Sequence, residues 1–461
     1  MTGSTFDVFN PATGQVIGQV GDGTAESAIR AVDAAAAAFS DWSGTPTRTR
    51  AEILRRCYES MVRNTDSLAE LIVAENGKST ADARAEVVYA AEFFRWFSEE
   101  AVRSGGTYGD APAGGAKTLV TYVPVGVAAL ITPWNFPAAM ITRKIAPALA
   151  AGCTVVLKPA EETPLTARAL EHLMQEAGVP WGVVNVLPTT NAPAVVTAWL
   201  TDDRVRKVSF TGSTNVGRIL LRQAADRVVN PSMELGGNAP FVITADADID
   251  AAVTGAMIAK FRGGGQACTA ANRFYVHADV FDEFMGKFSK AVLALKVGPS
   301  SDAANQIGPV ISSEARTRIA DLVDGAVAEG ARIVVQGAVP DTGWFYPPTI
   351  LVDVPVGAKI LSEEIFGPVA PVVTWNDEAV MLASVNDTEF GLAGYVYAGR
   401  MQDALRIGEQ IAAGMVGINR GIVSDPSAPF GGVKQSGMGR EGAHEGMREY
   451  QETRMYSVDW S

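Results

Sequence analysis

Three residues with useful chemistry sit among small or apolar neighbours. Cys268 lies in GGGQACTAAN (263–272), Glu234 in MELGGNAP (233–240) and Asn135 in ITPWNFP (131–137). A thiolate adds to carbonyls and nitriles, and small flanking residues let a substrate approach it. A cysteine alone is equally a small buried residue; Cys153 in AGCTVVLKP fits that plainer role because it enters an apolar strand. A carboxylate in apolar surroundings keeps its proton to higher pH, which suits a base working near neutrality. Glu234 either acts so, with glycines beside it that let its side chain swing, or caps the Gly236–Gly237 turn. Asn135 follows an apolar run and precedes a helical pattern. Its amide either caps that helix or donates to an oxyanion, with the Cys268 N–H as second donor.

These residues need elements to hold them. Residues 24–42 read as a helix because Ile29, Val32, Ala36 and Phe39 recur at helical spacing. Residues 48–76 read the same way. From 125 onward the pattern alternates: strand 125–132, helix 137–150 stopped by Gly152, strand 154–158, helix 163–177, strand 183–187, a helix near 192–201 and strand 207–210. Such alternation implies a parallel sheet with helices on both faces. A second alternating region runs from about Phe241 to Gly399. Residues 119–122 and 454–460 are short β-prone segments outside this rhythm and could pair as an edge sheet.

Composition narrows the function classes. The chain has 461 residues and a formal net charge of −13, which argues against nucleic-acid partners. Its three cysteines (57, 153, 268) and three histidines (172, 277, 444) are scattered, so neither a disulfide framework nor a metal site is expected. The N-terminal stretch has no basic region followed by an apolar run, and Pro and Gly interrupt the apolar stretches short of a membrane span. The expectation is a cytoplasmic protein without membrane partners.

Taken in order, PWNFP, ELGGNAP and GQACTAANR resemble the aldehyde dehydrogenase superfamily, and the likeness extends from FNPATG near the start to PFGGVKQSGMGREG near the end. The resemblance implies that Cys268 is the nucleophile, Glu234 the general base and Asn135 part of the oxyanion hole. It implies a thiohemiacetal, hydride transfer to nicotinamide, and a thioester hydrolysed by water. It also implies an α/β fold: an atypical Rossmann cofactor domain (1–106 and 125–235), an α/β catalytic domain (236–440) and a small β oligomerisation segment (107–124 and 441–461). A homodimer or homotetramer follows from the same resemblance.

No G-x-G-x-x-G follows the first strand. Instead FTGSTNVG (210–217) offers Gly212 for a tight turn and Ser213 for a phosphate at a helix start. By resemblance this is the pyrophosphate site, with Trp134 nearby. In LKPAEETP (157–164), Lys158 and Glu161 look like the adenosine-ribose ligands. A carboxylate at Glu161 would repel a 2′-phosphate, so NAD is expected, with NADP possible. Glu162 reads as a solvated acidic turn. In EEIFGPV (363–369), Glu364 matches the nicotinamide-ribose ligand and Phe366 the residue against the nicotinamide.

Two cations flank the nucleophile. Arg143 falls about two helical turns after Asn135, and Arg262 lies in KFRGGGQAC shortly before Cys268. Guanidinium groups bind carboxylates bidentately, so the pair fits an anionic substrate tail. NFPAAMITRK with KFRGGGQAC resembles the succinate-semialdehyde dehydrogenases, in which these arginines and a serine before PFGG hold the distal carboxylate. Ser424 is the match, with Ser427 second. Another ω-carboxylate aldehyde such as glutarate semialdehyde, or a broader range of aldehydes, is the alternative. A cofactor-free thiol hydrolase would use Cys268 and Glu234 without the nucleotide motifs. Some relatives carry a regulatory cysteine two residues past the nucleophile; here that position is Ala270.

Overall fold

The protein is described by a computed structural model covering residues 4–460. The chain opens with an antiparallel hairpin, β1 (Thr5–Phe9) and β2 (Val16–Gly21), followed by four helices: α1 (Ala25–Gly44), α2 (Thr47–Arg63), α3 (Thr65–Asn76) and α4 (Thr80–Glu100). α1 starts at a capping box: the Ser27 amide donates to the Thr24 hydroxyl, and the Thr24 amide donates to the Ser27 hydroxyl. Residues 48–76 form two helices, where the sequence pattern predicts one. The Asn64 amide donates to the Ser60 carbonyl at 2.8 Å, and the Thr65 hydroxyl donates to the Val62 carbonyl at 2.8 Å. Polar side chains competing for the preceding turn's carbonyls end α2 there.

After β3 (Thr107–Asp110) and β4 (Ala116–Pro124), the predicted alternation appears: β5 (Val127–Ile131), α5 (Ala139–Ala151), β6 (Thr154–Lys158), α6 (Pro164–Glu176), β7 (Val184–Val186), α7 (Ala192–Leu200), β8 (Val205–Thr211), α8 (Thr214–Ala225) and β9 (Asn230–Glu234). β5, β6, β7, β8 and β9 run parallel, with β5 between β8 and β6. The chain therefore winds outward from β5 in both directions and leaves a crevice at the strand ends, where such sheets bind ligands. Every residue of α5 is buried, Arg143 and Lys144 included. Its Ile145 and Leu149 belong to the largest apolar cluster, together with Phe93, Phe94 and Phe97 of α4. Truncating Leu149 to alanine there costs about 2–5 kcal/mol. Gly152, at φ 99°, ends α5 in a left-handed conformation that alanine would resist.

The second region contains β10 (Ala239–Ile243), α9 (Ile249–Phe261), β11 (Ala271–His277), α10 (Phe281–Leu293), α11 (Ser313–Ala328), β12 (Arg332–Gln336), β13 (Thr349–Val352), α12 (Lys359–Ser362), β14 (Val369–Trp375), α13 (Glu378–Asn386), β15 (Ala393–Tyr397), α14 (Met401–Gln410) and β16 (Met415–Ile418). Its strand order is β12-β13-β14-β11-β10-β15-β16, parallel except at β12. β16 lies beyond the predicted end of this region; its four residues include a glycine and carry too little pattern to read. The chain then returns. β17 (Gly437–Met438) pairs with β9, with Gly437 opposite Glu234, and α15 (Ala443–Arg448) packs on α5. β18 (Gln451–Asp459) pairs antiparallel with β4 from Gln451↔Pro124 to Asp459↔Ala116, so the two β-prone segments do form one small sheet with β3.

Candidate active site

Backbone geometry accounts for the glycines of GGGQAC. Gly263, Gly264 and Gly265 have φ of 60°, 66° and 74°, three successive left-handed residues that turn the chain from α9 towards Cys268. A Cβ on Gly265 would lie 2.3 Å from the Gly367 carbonyl. Gln266 pins the turn: its side-chain amide donates to the Pro309 carbonyl at 3.3 Å and its side-chain oxygen accepts from the Ile311 amide at 3.0 Å. Its own carbonyl accepts from the Asn135 side chain at 3.0 Å. Asn135 is thus not the helix cap. Ala138 holds that position without a side-chain bond, and the first amides of α5 donate to Glu86. One amide hydrogen of Asn135 fixes the cysteine loop, which leaves the other for the cavity that Asn135 lines.

Glu234 ends β9 and is 3 % exposed. Its glycine neighbours serve close packing rather than side-chain freedom. A Cβ on Gly237 would lie 2.2 Å from the Cys268 carbonyl, and one on Gly236 would lie 3.1 Å from Glu364. Oε2 of Glu234 has no hydrogen-bond partner among the described residues. Burial, reinforced by Glu441, holds the Glu234 carboxyl well above the usual range against Lys144, Arg143 and Arg440. Burial also pushes the Cys268 thiol up to about 12, with Glu364 and Glu234 adding to it and Arg143 opposing. Burial therefore favours the neutral form of both groups.

Cys268 lines two cavities. The larger, about 570 Å³, opens at the C-terminal ends of β5 and β8. Trp134, Asn135, Gly212, Ser213, Glu364 and Phe366 all line it. Trp134 and Phe366 meet edge to face at 5.4 Å. Ser213 caps α8 by accepting from the Val216 amide. Gly212 is not in a left-handed turn; it is small because the Phe210 ring would lie 2.4 Å from a Cβ. Glu364 accepts from the Gly237 amide at 3.0 Å, and burial raises its carboxyl to about 7. Lys158 and Glu161 do not line this cavity. They sit at the end of β6, beside β5, with Lys158 buried and Glu161 exposed, 4.0 Å apart. Glu162, expected to be the solvated member of the turn, is the partly buried one.

The smaller cavity, about 240 Å³, holds Cys268, Arg143, Arg262 and Ser424 together. Ser427 instead donates to Asp425 at 2.6 Å. Arg143 lies 4.0 Å over the Phe430 ring, donates to Ser424 at 3.1 Å and stands 3.6 Å from Glu441. Arg262 lies over Phe136 at 5.7 Å, without a hydrogen bond or ion pair among the described residues.

The family model for aldehyde dehydrogenases matches residues 1–456. The chain belongs to the aldehyde dehydrogenase family. It is 53% identical over 436 residues to the succinate-semialdehyde dehydrogenase of Paenarthrobacter nicotinovorans, covering 94% of this chain and 97% of that one. It is 48% identical over 461 residues to the glutarate-semialdehyde dehydrogenase of Pseudomonas putida, covering 99% and 95%. The crystal structure of an NADP dependent enzyme of E. coli superposes with a TM-score of 0.97 at 46% identity, covering 99% of this chain and 95% of that one.

Within this family member, several site residues escaped the sequence reading. Tyr89 contacts both Arg143 and Ser424. Arg318 donates to the Glu364 and Ile365 carbonyls at 2.9 and 2.8 Å, steadying the segment that ends at Phe366, itself at φ 53°. Glu441 reaches Lys144 at 2.6 Å behind Glu234. Nothing local marks Tyr89: its chain neighbours are the exposed Val88 and the buried Ala90, and its partners lie elsewhere in the chain.

Proposed function

We propose that the protein oxidises succinate semialdehyde to succinate with NAD. The carrying observation is one cavity in which Cys268 faces two guanidinium groups and Ser424. The aldehyde end lies against Cys268 and the carboxylate tail against Arg143, Arg262 and Ser424. Cys268 gives up its thiol proton to water, the thiolate adds to the aldehyde carbon, and the Asn135 amide with the Cys268 N–H stabilises the resulting oxyanion. Nicotinamide, when bound, supplies the hydride acceptor. Collapse leaves a thioester on Cys268. Glu234 takes a proton from water, hydroxide adds to the thioester, and the C–S bond breaks to release succinate and the thiolate.

The larger cavity suits a nicotinamide dinucleotide. Trp134 and Phe366 meet in this cavity, Glu364 would offer acceptor oxygens to ribose hydroxyls, and Ser213 at the start of α8 would hold the pyrophosphate. Lys158 and Glu161, at the end of β6 beside β5, would hold the adenosine ribose. The exposed carboxylate of Glu161 disfavours a 2′-phosphate, so NAD is the preferred cofactor, although the E. coli neighbour is titled NADP dependent. Glutarate semialdehyde is the second reading, favoured by the Pseudomonas putida relative. One methylene changes discrimination by about 10–200-fold.

The proposal includes a division into a cofactor domain, a catalytic domain and an oligomerisation segment. The small sheet exposes Tyr108, Met455 and Tyr456, and Trp460 just after it is exposed too, which suits a homodimer or homotetramer interface. No described helix is long and apolar enough to cross a membrane. Three free cysteines suit a reducing cytoplasm. The test is a panel of succinate semialdehyde, glutarate semialdehyde and butanal, each assayed with NAD and with NADP. Butanal matching the carboxylated aldehydes in kcat/KM would reject the anionic tail.

A further inference from the structure

We infer that Tyr89 is a specificity-determining residue whose phenol hydroxyl takes one oxygen of the substrate's distal carboxylate; this rests on the anionic-tail reading above. Three elements converge on one point of the smaller cavity. α4 brings Tyr89, α5 brings Arg143, and the loop after β16 brings Ser424. Arg143 Nη2 contacts both hydroxyl oxygens, and those hydroxyls contact each other.

Counting protons decides what this triad can do. Arg143 donates to both oxygens and accepts from neither. The contact between the hydroxyls uses one of their two protons, whichever residue supplies it. One hydroxyl proton is left over, and all three side chains line the cavity. An arriving carboxylate takes that proton through one oxygen. Through the other it replaces the hydroxyl–hydroxyl contact with a second charge-assisted bond. The ring of Tyr89 is held for this by an edge-to-face contact with Phe93 at 5.1 Å.

The charges favour hydroxyl donors here. Arg143 already stands near Glu441, which offsets part of its positive charge. Lys78 is committed to Glu86 and to the Asn135 carbonyl. Arg262 is the uncommitted cation, and Asp82 lines the same cavity. A carboxylate tail therefore finds one free positive group and needs neutral donors for its remaining lone pairs. Tyr89 and Ser424 supply them.

The test compares Tyr89→Phe with wild type on succinate semialdehyde and butanal at saturating NAD, reading kcat and KM separately. The ring and its Phe93 contact remain, and a melting curve and NAD titration check folding. The expected result is a rise in KM for succinate semialdehyde, little change in its kcat, and a fall in the succinate-semialdehyde-to-butanal ratio of kcat/KM of about ten- to a hundredfold. An unchanged ratio, whether both substrates suffer equally or neither does, overturns the role of Tyr89. A wild-type enzyme with no preference for the carboxylated aldehyde overturns the parent reading instead, so the two failures are separable. Should the phenylalanine variant not fold, Tyr89→Leu, which also removes the hydroxyl, is read by the same ratio. A wild-type ratio in that variant overturns the role of Tyr89 equally.

Discussion

Replacing the two cavity arginines one at a time should separate recognition from stability. Arg262 is partly buried and has no ion pair or hydrogen bond among the described residues; its neighbour is the Phe136 ring. Arg262→Ala therefore removes little that the free protein uses. What it removes is a charge-assisted contact to the substrate carboxylate, worth about 1.5–3 kcal/mol, or about 10- to 150-fold in kcat/KM. Arg143 is 2 % exposed, stands 3.6 Å from Glu441 and lies over Phe430. Its loss would cost binding and fold together. Breaking a buried pair costs about 3–5 kcal/mol, and because Lys144 still reaches Glu441 at 2.6 Å the lower end applies, about 3 kcal/mol. The assay is kcat/KM for succinate semialdehyde and for butanal, alongside a melting temperature for each variant. Arg262→Ala should lower the ratio of the two substrates and leave melting nearly unchanged. Arg143→Ala should lower both the ratio and the melting temperature. A butanal loss equal to the succinate-semialdehyde loss in Arg262→Ala would refute the division of labour, as would full stability in Arg143→Ala.

Other outcomes follow from the same geometry. Glu234 must lose its proton to act as a base, and its carboxyl sits above the ordinary range, so thioester hydrolysis should rise with pH through that raised value. Glu234→Gln should abolish the limb, and a limb surviving in the variant would remove Glu234 from the role. The buried thiol at about 12 predicts that alkylation of Cys268 by iodoacetamide, followed by peptide mass spectrometry, accelerates steadily from pH 7 to 10 in the ligand-free enzyme; a plateau near pH 7 would contradict it. Glu161→Ser should improve NADP relative to NAD by roughly fivefold, since one unit charge a few ångströms away is worth about 1 kcal/mol in water. Wild-type activity that is equal with both cofactors would defeat that expectation. Gly263→Ala meets no atom within 4 Å and should cost about 1–2 kcal/mol of backbone strain, whereas Gly265→Ala collides with the Gly367 carbonyl and should abolish activity. Comparable melting temperatures and activities in the two variants would count against the turn geometry.

The sequence carried the parallel alternation well because β5 and β6 are continuously buried runs, bounded by Pro133 and by the Pro159 and Pro164 region. It missed the break at Asn64 because helical spacing continues through it; only the side-chain competition at Asn64 and Thr65 stops the helix. Local motifs located Cys268, Glu234 and Asn135, since each sits in an unusual run of small or apolar residues. They could not tell what the glycines beside Glu234 are for, because the reason is a contact with the Cys268 carbonyl far along the chain. Tyr89 and Glu441 were invisible for the same reason. Each gains its meaning from a partner separated by hundreds of positions, and nothing in its own neighbourhood marks it.

The pairing of Gly437 with Glu234 has a consequence for synthesis. Cys268 and the lining of the larger cavity, which ends at Phe390, precede the last strands in the chain, yet the strand that pairs beside Glu234 is supplied by the final stretch of polypeptide. A nascent chain could carry its reactive sulfur without the carboxyl group being seated to release product. Efficient release of the acid would then wait for the tail to dock beside Glu234.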